Sequence, residues 1–403
     1  MGSPDYRLAS EAYGGETATR DRRGFDGHEL FIGPVAPVER STRPPSARGG
    51  RRATVDPDPP AGLRRDRGRR RFALSGACGE GSRGDPVRRA GSHSPAHVYP
   101  VLEDAHPDEM GSSLYESDHV ASAWDAIDAA HARGLPFDVL HDHSGYTALA
   151  IADRVHAPVV HTIHGAFFRD TDRFYRRHGH KAHLVAISGT QADSAPSDVR
   201  IADVVPNPIT VENWPLRAVK ADYLLWAGRM DAVKGAHRAI LAARLAGRRL
   251  VLAGPVQPGQ QRYFRGRVEP HVDGERVRYV EEVGGREKRQ LFADASALLM
   301  PIRWREPFGM VMVEALACGT PVIAFPEGVA REIVINGENG MLVDDEIEMA
   351  KAIRHLDAID PTACRASVAE RYSVPATAAR YERVYRQAIR AARRCNKRSA
   401  ARG

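Results

Sequence analysis

Two glutamates, Glu306 and Glu314, stand eight positions apart with a glycine between them, and their segment carries the clearest chemical signal in the chain. Glu306 is expected in a loop. Gly309 is expected at the N-terminus of the apolar helix that follows, where free backbone N–H groups and the helix dipole favour a phosphate. Glu314 falls inside that helix, where a lone carboxylate is costly to bury. Its expected partners are ribose hydroxyls or, as the alternative, an internal arginine or backbone group.

A second group of candidate residues, Gly228, Arg229 and Lys234, follows a predicted strand and precedes a predicted helix. Ligands of open α/β sheets sit at the carboxyl ends of strands. Gly228 allows a tight turn, Arg229 offers paired planar donors and Lys234 a point charge, which together suit a diphosphate. Taken alone, this segment is more easily explained by two solvated surface cations than by a diphosphate site. The presence of the segment with Glu306 and Glu314 makes the diphosphate site the favoured interpretation.

Histidines cluster in the preceding part of the chain. His164 ends a predicted strand, and the carboxyl end of that strand is expected to face a cleft between two domains. His164 is therefore a candidate for contact with substrate, and a structural histidine bonded to backbone is the alternative. His141, Asp142, His143 and His161 would complete a metal site with it. We disfavour that interpretation because no Cys or Glu completes the set.

Short apolar strands alternate with helical stretches over 96–210, which indicates a parallel α/β sheet. The predicted strands are 137–141, 158–163, 183–188 and 201–205, and the predicted helix is 146–154. Two prolines then break the chain, and we place an interdomain linker at about 206–220.

A second α/β domain is predicted over 211–374, because six strands in about 130 residues make a complete doubly wound sheet. The predicted strands are 223–227, 250–253, 277–280, 297–301, 321–324 and 340–343, and the predicted helices are 236–245, 287–293, 310–317 and 346–356. A C-terminal helix is predicted over 375–394. Its tyrosines, Tyr381 and Tyr385, are four apart and share one face.

The first 95 residues differ in composition from the rest. Arginine, proline and glycine dominate them, the first lysine of the chain is Lys181, and apolar residues show no strand or helix period. Such a segment cannot bury enough apolar surface to offset its chain entropy, so we predict that 1–95 is disordered. Three interpretations stay open: a basic arm for nucleic acid or anionic membrane, an inert tail and, the most favoured, an out-of-frame translation of a GC-rich gene.

The combined motifs resemble glycosyltransferase family 4 over about 137–388. The motifs are the Glu306 and Glu314 pair, the Pro307-Phe308-Gly309 insert, the run 317–324, Gly228-Arg229 with Lys234-Gly235, and Asn336-Gly337 with Asn339-Gly340. Enzymes of this family have the GT-B fold of two Rossmann-like domains. They move a sugar from a nucleotide diphosphate with retention of anomeric configuration and without a bound metal.

The resemblance also implies roles for individual residues. The positions of Arg229 and Lys234 hold the diphosphate, the position of Glu314 holds the ribose, and that of Glu306 faces the donor sugar. Val283 matches the segment that touches the base, although the nearby Glu281 replaces a glycine of many relatives, and His164 matches a His-Gly element near donor sugar and acceptor. The implied donor-binding residues are Gly228, Arg229, Lys234, Val283, Glu306, Phe308, Gly309, Met310, Val311 and Glu314, and the implied catalytic residues are Glu306, His164, Arg229 and Lys234.

The N-terminal domain departs from the family pattern. A GT-B domain should begin with a strand, a Gly-rich loop and a long helix, and we expect no such strand from 1–95. The acceptor-side domain over 96–210 is therefore predicted to be incomplete. A nucleotide-sugar-binding remnant with impaired catalysis is one alternative function, and a GT-B-fold epimerase or phosphorylase is another.

Composition limits the partners and the compartment. The net charge of +7 suits nucleic acid, anionic lipid or phosphorylated small molecules. We predict a nucleotide-sugar donor, an acceptor that is a saccharide, a lipid or a small molecule, no cofactor or metal, and no nucleic-acid partner. Four cysteines without a CxxC pair, no long apolar run and no apolar leader predict a cytoplasmic protein. A peripheral position at the inner membrane face stays open for a lipid acceptor.

Overall fold

The computed structural model describes residues 29–32, 70–75, 97–98 and 113–400, and it contains two sheets built mainly of parallel strands with helices packed on them. The chain therefore has the α/β architecture of two Rossmann-like units, as the sequence predicts. None of the described helices has the length and hydropathy needed to cross a membrane.

In the part of the chain that the structure describes, the N-terminal sheet has seven strands. They are β1 (Glu29–Ile32), β2 (Arg70–Ser75), β3 (His97–Val98), β4 (Phe137–Asp142), β5 (Val159–Ile163), β6 (His183–Ala186) and β7 (Ile201–Val204). Their order is β3-β1-β2-β4-β5-β6-β7, with β2 and β4 to β7 parallel and β1 antiparallel to β2 and β3. The four strands predicted between 137 and 205 are confirmed.

Two of the described strands, β1 and β2, lie within the first 95 residues, where we expected none. Of these, β2 lies directly beside β4 and extends the parallel part of the sheet. Strands of four and six residues are too short to show a period in an arginine-rich background, so the sequence did not reveal them. The rest of the segment predicted to be disordered, 1–95, lies outside the described residues.

Among the described residues, four helices accompany this sheet: α1 (Ser113–Ala132), α2 (Tyr146–Ala150), α3 (Arg169–His178) and α4 (Gly189–Asp193). The helix predicted over 146–154 divides into α2 and a 3-10 turn at Ala152–Arg154. The strand predicted to reach Ser188 ends earlier, because the Ser188 hydroxyl caps α4 by accepting from the Gln191 N–H at 3.0 Å.

The C-terminal sheet has six parallel strands, which confirms the predicted set. They are β8 (Leu224–Ala227), β9 (Leu250–Ala253), β10 (Val277–Val280), β11 (Ala297–Met300), β12 (Val322–Ala324) and β13 (Gly340–Leu342). Their order is β10-β9-β8-β11-β12-β13, so the chain first winds outward from β8 and then restarts on its other side at β11. This reversal is a topological switch point, where α/β sheets bind ligands.

Helices cover both faces of this sheet. They are α5 (Ala236–Ala246), α6 (Gln261–Arg267), α7 (Gly285–Asp294), α8 (Met310–Ala317), α9 (Ala330–Ile333), α10 (Glu346–Ile353) and α11 (Pro361–Tyr372). The four inner strands, β9, β8, β11 and β12, are buried on both sides, as is usual for parallel strands. Trp226 lies in one core layer and Phe292 in the other.

The last helix, α12 (Val374–Ala400), returns to the N-terminal sheet. Val384 and Ala388 pack against Val139 and Val160, and Tyr381 and Tyr385 border the same cluster. The spacing of these four helix residues makes one apolar stripe, as the sequence indicates. The chain segment that leaves the N-terminal unit runs beside the start of α12, since the Ile209 N–H donates to the Tyr372 carbonyl at 2.8 Å.

Candidate active site

The loop after β8 carries Gly228 and Arg229. The Gly228 N–H donates to the Ala253 carbonyl at 2.9 Å. A Cβ built on Gly254 would lie 1.9 Å from the Gly228 carbonyl oxygen, so the loops after β8 and β9 touch backbone to backbone. Arg229 is exposed and donates to Oε1 of Gln257 at 3.1 Å. Its guanidinium is therefore accessible to an anion at the switch point.

Lys234 and Glu306 are joined across the switch point. The Lys234 ammonium is ion-paired with Oε2 of Glu306, and the two side chains are only 16% and 12% exposed. Trp304 donates its indole N–H to the same oxygen at 2.8 Å, and Lys234 Nζ lies 4.9 Å from the Trp304 ring centroid. Trp226 also fixes the Lys234 backbone, by donating to its carbonyl at 3.1 Å. Lys234 is thus an oriented, largely buried cation and not a solvated surface charge.

The N-terminus of α8 offers free backbone donors. Gly309 makes the turn into the helix with a φ of 70°, and a Cβ there would lie 2.6 Å from Cε of Met312. Within the described residues, no acceptor contacts the backbone N–H groups of Met310 and Val311 in the first helical turn. Together with the helix dipole, these two groups can bind an anion.

Phe308 anchors the loop that leads from Glu306 into α8. It is buried, and its ring packs edge-on against Tyr372 of α11 with the centroids 5.6 Å apart. Phe308 is therefore a core residue, whose contacts fix the position of the loop.

Glu314 lies inside α8 with 4% exposure, as the sequence predicts. Lys288 of α7 donates to its Oε1 at 2.7 Å and lies 5.7 Å from the Trp214 ring centroid. The Glu314 carboxylate therefore has an internal cation as its partner, which agrees with the alternative given above to ribose hydroxyls. The cation is a lysine, whereas that alternative named an arginine or a backbone group. Sequence reasoning missed both Lys288 and Trp304. The scarcity of lysine in an arginine-rich chain is a signal that could have drawn attention to Lys288.

Val283 lies just after β10, at the outer edge of the C-terminal sheet, and packs half-buried against the core. Before it, the carbonyls of Val280 and Glu281 both accept from the Gly254 N–H at 3.3 Å. The loops after β10, β9 and β8 thus lie side by side at the carboxyl ends of the strands, with Val283 in the outermost loop and Arg229 in the loop nearest the switch point.

The two units meet where α9 faces the start of α4. Glu332 accepts from the backbone N–H groups of Gly189 at 3.0 Å and Thr190 at 2.5 Å, and from the Thr190 hydroxyl at 2.5 Å. The Thr190 hydroxyl also lies 3.4 Å from the Gly328 carbonyl, and a Cβ on Gly328 would lie 2.5 Å from the backbone N of Glu306. The loop of Glu306 therefore lies next to the contact between the units.

The histidines at the ends of β4 and β5 form hydrogen-bonded pairs. Asp142 is the register neighbour of His161, and the carboxylate accepts from the His161 ring at 2.5 Å. His143 Nδ1 and His164 Nε2 share a hydrogen bond of 2.8 Å. Thus His164 ends its strand as predicted, but its partner is a second imidazole and not the backbone. No group of three or more His, Cys, Asp or Glu in the described part of the chain is arranged to hold a metal ion.

His141 connects this cluster to the C-terminal helix. Its Nε2 bonds Thr162 Oγ1 at 2.8 Å, and its Nδ1 bonds the Tyr385 hydroxyl at 2.7 Å. Thr162 in turn bonds the Tyr381 hydroxyl at 2.9 Å. Burial, reinforced by the charges of neighbouring imidazoles, lowers the pKa of His141 to about 3 and the pKa of His164 to about 4. These rings are therefore neutral hydrogen-bonding groups near pH 7.

Comparison with known proteins agrees with this arrangement. Residues 211–364 match the family model for Glycosyl transferases group 1. The chain is 30% identical over 240 residues to glycogen synthase of Mycobacterium tuberculosis, covering 55% of this chain and 53% of that protein. It is 27% identical over 248 residues to D-inositol 3-phosphate glycosyltransferase of Paenarthrobacter aurescens, covering 52% and 60%. The chain thus spans little more than half the length of these relatives.

Solved structures show the same fold. AviGT4, a glycosyltransferase involved in avilamycin A biosynthesis, superposes with a TM-score of 0.53 at 25% identity, covering 67% of this chain and 78% of its own. Sucrose-phosphate synthase from Thermosynechococcus elongatus gives a TM-score of 0.57 at 23% identity, covering 69% and 80%. The comparisons confirm the predicted GT-B fold, and the relatives named here are glycosyltransferases or synthases that the chain resembles over part of its length.

Proposed function

We propose that this protein transfers a sugar from a nucleotide-diphosphate sugar to an acceptor hydroxyl with retention of anomeric configuration, as in glycosyltransferase family 4. The observation that carries the proposal is the cluster at the switch point. There, Lys234 is aimed at the loop of Glu306, and the free N–H groups of Met310 and Val311 follow on the same loop. The similar fold of Anabaena HepE, solved in complex with UDP and with UDP-glucose, supports a donor of this chemical class.

The cluster would act on the leaving group. Breaking the bond between the anomeric carbon and the diphosphate oxygen leaves negative charge on the diphosphate, and preorganised donors aimed at that charge are usually the largest catalytic term. Arg229, Lys234 and the amides at the start of α8 would provide these donors. Because they supply the positive charge, we propose that no metal ion or cofactor is required, and turnover should survive EDTA.

The bonding changes follow from retention. The acceptor oxygen bonds to the anomeric carbon on the face from which the diphosphate departs, and the acceptor's proton passes to a departing phosphate oxygen. No side-chain nucleophile is needed. Glu306, held by Trp304 and Lys234, would face the donor sugar, and His164 would lie beside the donor sugar and acceptor.

The remaining donor contacts are assigned by position. Glu314, oriented by Lys288, would bind the ribose, and Val283 would contact the base at the outer edge of the sheet. We propose that the acceptor is a saccharide, a small molecule or a lipid. The reaction would take place in the cytoplasm, at the inner membrane face for a lipid acceptor.

Thermal-shift measurements on the full chain with UDP, GDP and ADP test the donor site. A nucleotide at about 100 times its Kd adds about 2.7 kcal/mol, which raises the Tm by roughly 5–10 °C. Arg229→Ala and Lys234→Ala should each lower turnover by about 10²–10³-fold. Arg249→Ala is the matched control, because Arg249 is an exposed arginine just before β9, at the opposite edge of the sheet. Near-normal turnover in both site variants would refute the assignment.

A further inference from the structure

His143 is joined to the proposed substrate-facing histidine by the hydrogen bond between His143 Nδ1 and His164 Nε2, 2.8 Å long. The two rings lie 5.2 Å apart between centroids and are inclined by 27°. Each directly follows the last residue of a strand, His164 after β5 and His143 after β4, and the two strands are parallel neighbours. The pairing of β4 with β5 therefore brings the two rings together.

One proton must be shared between these two nitrogens. Burial lowers the pKa of His164 to about 4 and holds the pKa of His143 well below its usual value, so each ring carries a single N–H near pH 7. The ring that donates has a bare outer nitrogen, and the ring that accepts carries its proton on the outer nitrogen. His143 Nε2 and His164 Nδ1 therefore always have opposite hydrogen-bonding character.

The His143 ring is itself held by a chain of contacts that reaches the C-terminal helix. It packs on His141 with the centroids 4.0 Å apart. His141 is fixed through both nitrogens, by Thr162 at 2.8 Å and by Tyr385 of α12 at 2.7 Å. A ring fixed at both nitrogens cannot turn without breaking a buried hydrogen bond, which costs on the order of 1–3 kcal/mol.

We propose that His143 is a positioning residue: through the shared hydrogen bond it holds the ring of His164 in one orientation and ties the tautomer of His164 to its own, so that the pair sets which nitrogen His164 presents to the substrate. The effect on turnover rests on the function proposed above, but the tautomer does not. His143 does not need to touch the substrate. Its influence passes through the shared hydrogen bond, and the helix α12 supports it from the far end of the chain.

Three variants separate the hydrogen bond from the shape of the ring. His143→Phe keeps an aromatic ring against His141 and removes the bond to His164. His143→Asn places an amide atom near the position of Nδ1 and can restore that bond. His131→Phe is the control, since His131 also stacks on a histidine, His156 at 4.1 Å, but lies on α1.

The first measurement is the long-range proton–nitrogen NMR spectrum of histidine-labelled protein, which distinguishes the two tautomers. We expect His143 and His164 to show the same tautomer in the native protein and in His131→Phe, because the shared bond forms only when both rings carry the proton on Nδ1 or both carry it on Nε2. The tautomer populations of His164 should change in His143→Phe, which offers no such partner. Unchanged tautomer populations of His164 in His143→Phe would overturn the proposal, whatever the activity. If that variant does not fold, His143→Ala removes the same bond without bulk, and its spectrum decides in the same way.

The second measurement is the release of UDP from UDP-glucose, together with the Kd of UDP. His143→Phe should lower kcat by roughly tenfold, the effect of one lost hydrogen bond. His143→Asn should recover most of that loss, and the Kd of UDP should not change in either variant. A changed tautomer with unchanged kcat would support the positioning and refute the proposed role of His164. Failure of the native protein to bind UDP or release it from UDP-glucose would count against the function proposed above with this donor, while the NMR result would stand.

Discussion

A single methyl group on Gly235 should weaken donor binding, and Gly247 provides the matched control. The two glycines lie at the N-cap and the C-cap of α5, with φ values of 80° and 70°. A Cβ on Gly235 would lie 2.3 Å from the Pro301 carbonyl oxygen, whereas a Cβ on Gly247 meets nothing within 4 Å. Because Gly235 directly follows Lys234, relief of this overlap must move the loop that carries the lysine.

The expected magnitudes differ for the two alanine variants. A residue with a Cβ costs about 1–2 kcal/mol in the left-handed region, and the stiffer unfolded chain returns about 0.4–1 kcal/mol of this. Gly247→Ala should therefore destabilise the protein by about 1 kcal/mol and lower the Tm by roughly 2–4 °C. Gly235→Ala adds steric overlap with a backbone carbonyl, a kind of overpacking that costs about 1–3 kcal/mol, so its total is roughly 2–4 kcal/mol.

Isothermal titration calorimetry with UDP then tests whether movement of the Lys234 loop changes the Kd of UDP. Displacing Lys234 loses a charge-assisted hydrogen bond of about 1.5–3 kcal/mol, so the Kd of Gly235→Ala should rise tenfold or more. The Kd of Gly247→Ala should stay within about twofold of the native value, because its strain lies at the far end of α5. Native-like UDP affinity in Gly235→Ala, with the lowered Tm, would show that Lys234 does not hold the diphosphate.

Three further predictions concern other parts of the molecule. Glu332→Gln removes the carboxylate that accepts three hydrogen bonds from the N-terminal unit, so we expect a larger radius of gyration by small-angle scattering, and unchanged scattering would contradict this. In the folded protein, His141 and His164 have pKa values of about 3 and 4 and are neutral near pH 7. In the unfolded chain a histidine has a pKa near 6.5, so protonation below that pH favours the unfolded state. The contribution of the two rings to the free energy of unfolding is therefore complete above about pH 6.5 and is lost as the pH falls. Urea melts should lose up to about 1.4 kcal/mol per pH unit for each ring between pH 6 and 5, and equal stability at both would refute the assignment. Lys288→Met removes the cation from the buried Glu314 carboxylate and should lower the free energy of unfolding by roughly 3 kcal/mol. The double variant with Glu314→Leu should recover most of that loss, because no unpaired charge stays buried. A single variant as stable as the native protein would exclude a structural ion pair.

The donor half of the fold could be predicted from sequence because its signals are local. The strands β8, β9, β11 and β12 are short apolar runs between helices, and β8 and β11 are followed by segments with recognisable chemistry. Gly228 and Glu306 are far apart in the chain, but the order of strands brings their loops to one switch point. That order is a property of the fold, so it came from the resemblance and not from residue patterns.

In the N-terminal half, the local sequence does not determine how neighbouring strands pair. Alternation places His141 and His143 on one face of their strand, but it does not say which residue of β5 lies opposite. The observed register pairs Asp142 with His161, and a shift of one residue would turn every side chain of that strand to the other face. The hydrogen bond between His143 and His164 follows from this register, so the sequence could identify these histidines as candidates but not as partners.

Lysine usage gives a physical reason for one of the missed contacts. The chain uses arginine for most of its positive charge, yet the ammonium groups of Lys181, Lys220, Lys234 and Lys288 all donate to fixed oxygen atoms. Lys220, for example, donates to the carbonyls of Ala293 and Cys318 within 3.0 Å. A compact ammonium fits such enclosed sites, whereas the planar guanidinium of arginine needs room for its fork. Lys234 and Lys288 at the candidate donor site belong to this group of four lysines, whose ammonium groups have fixed oxygen partners.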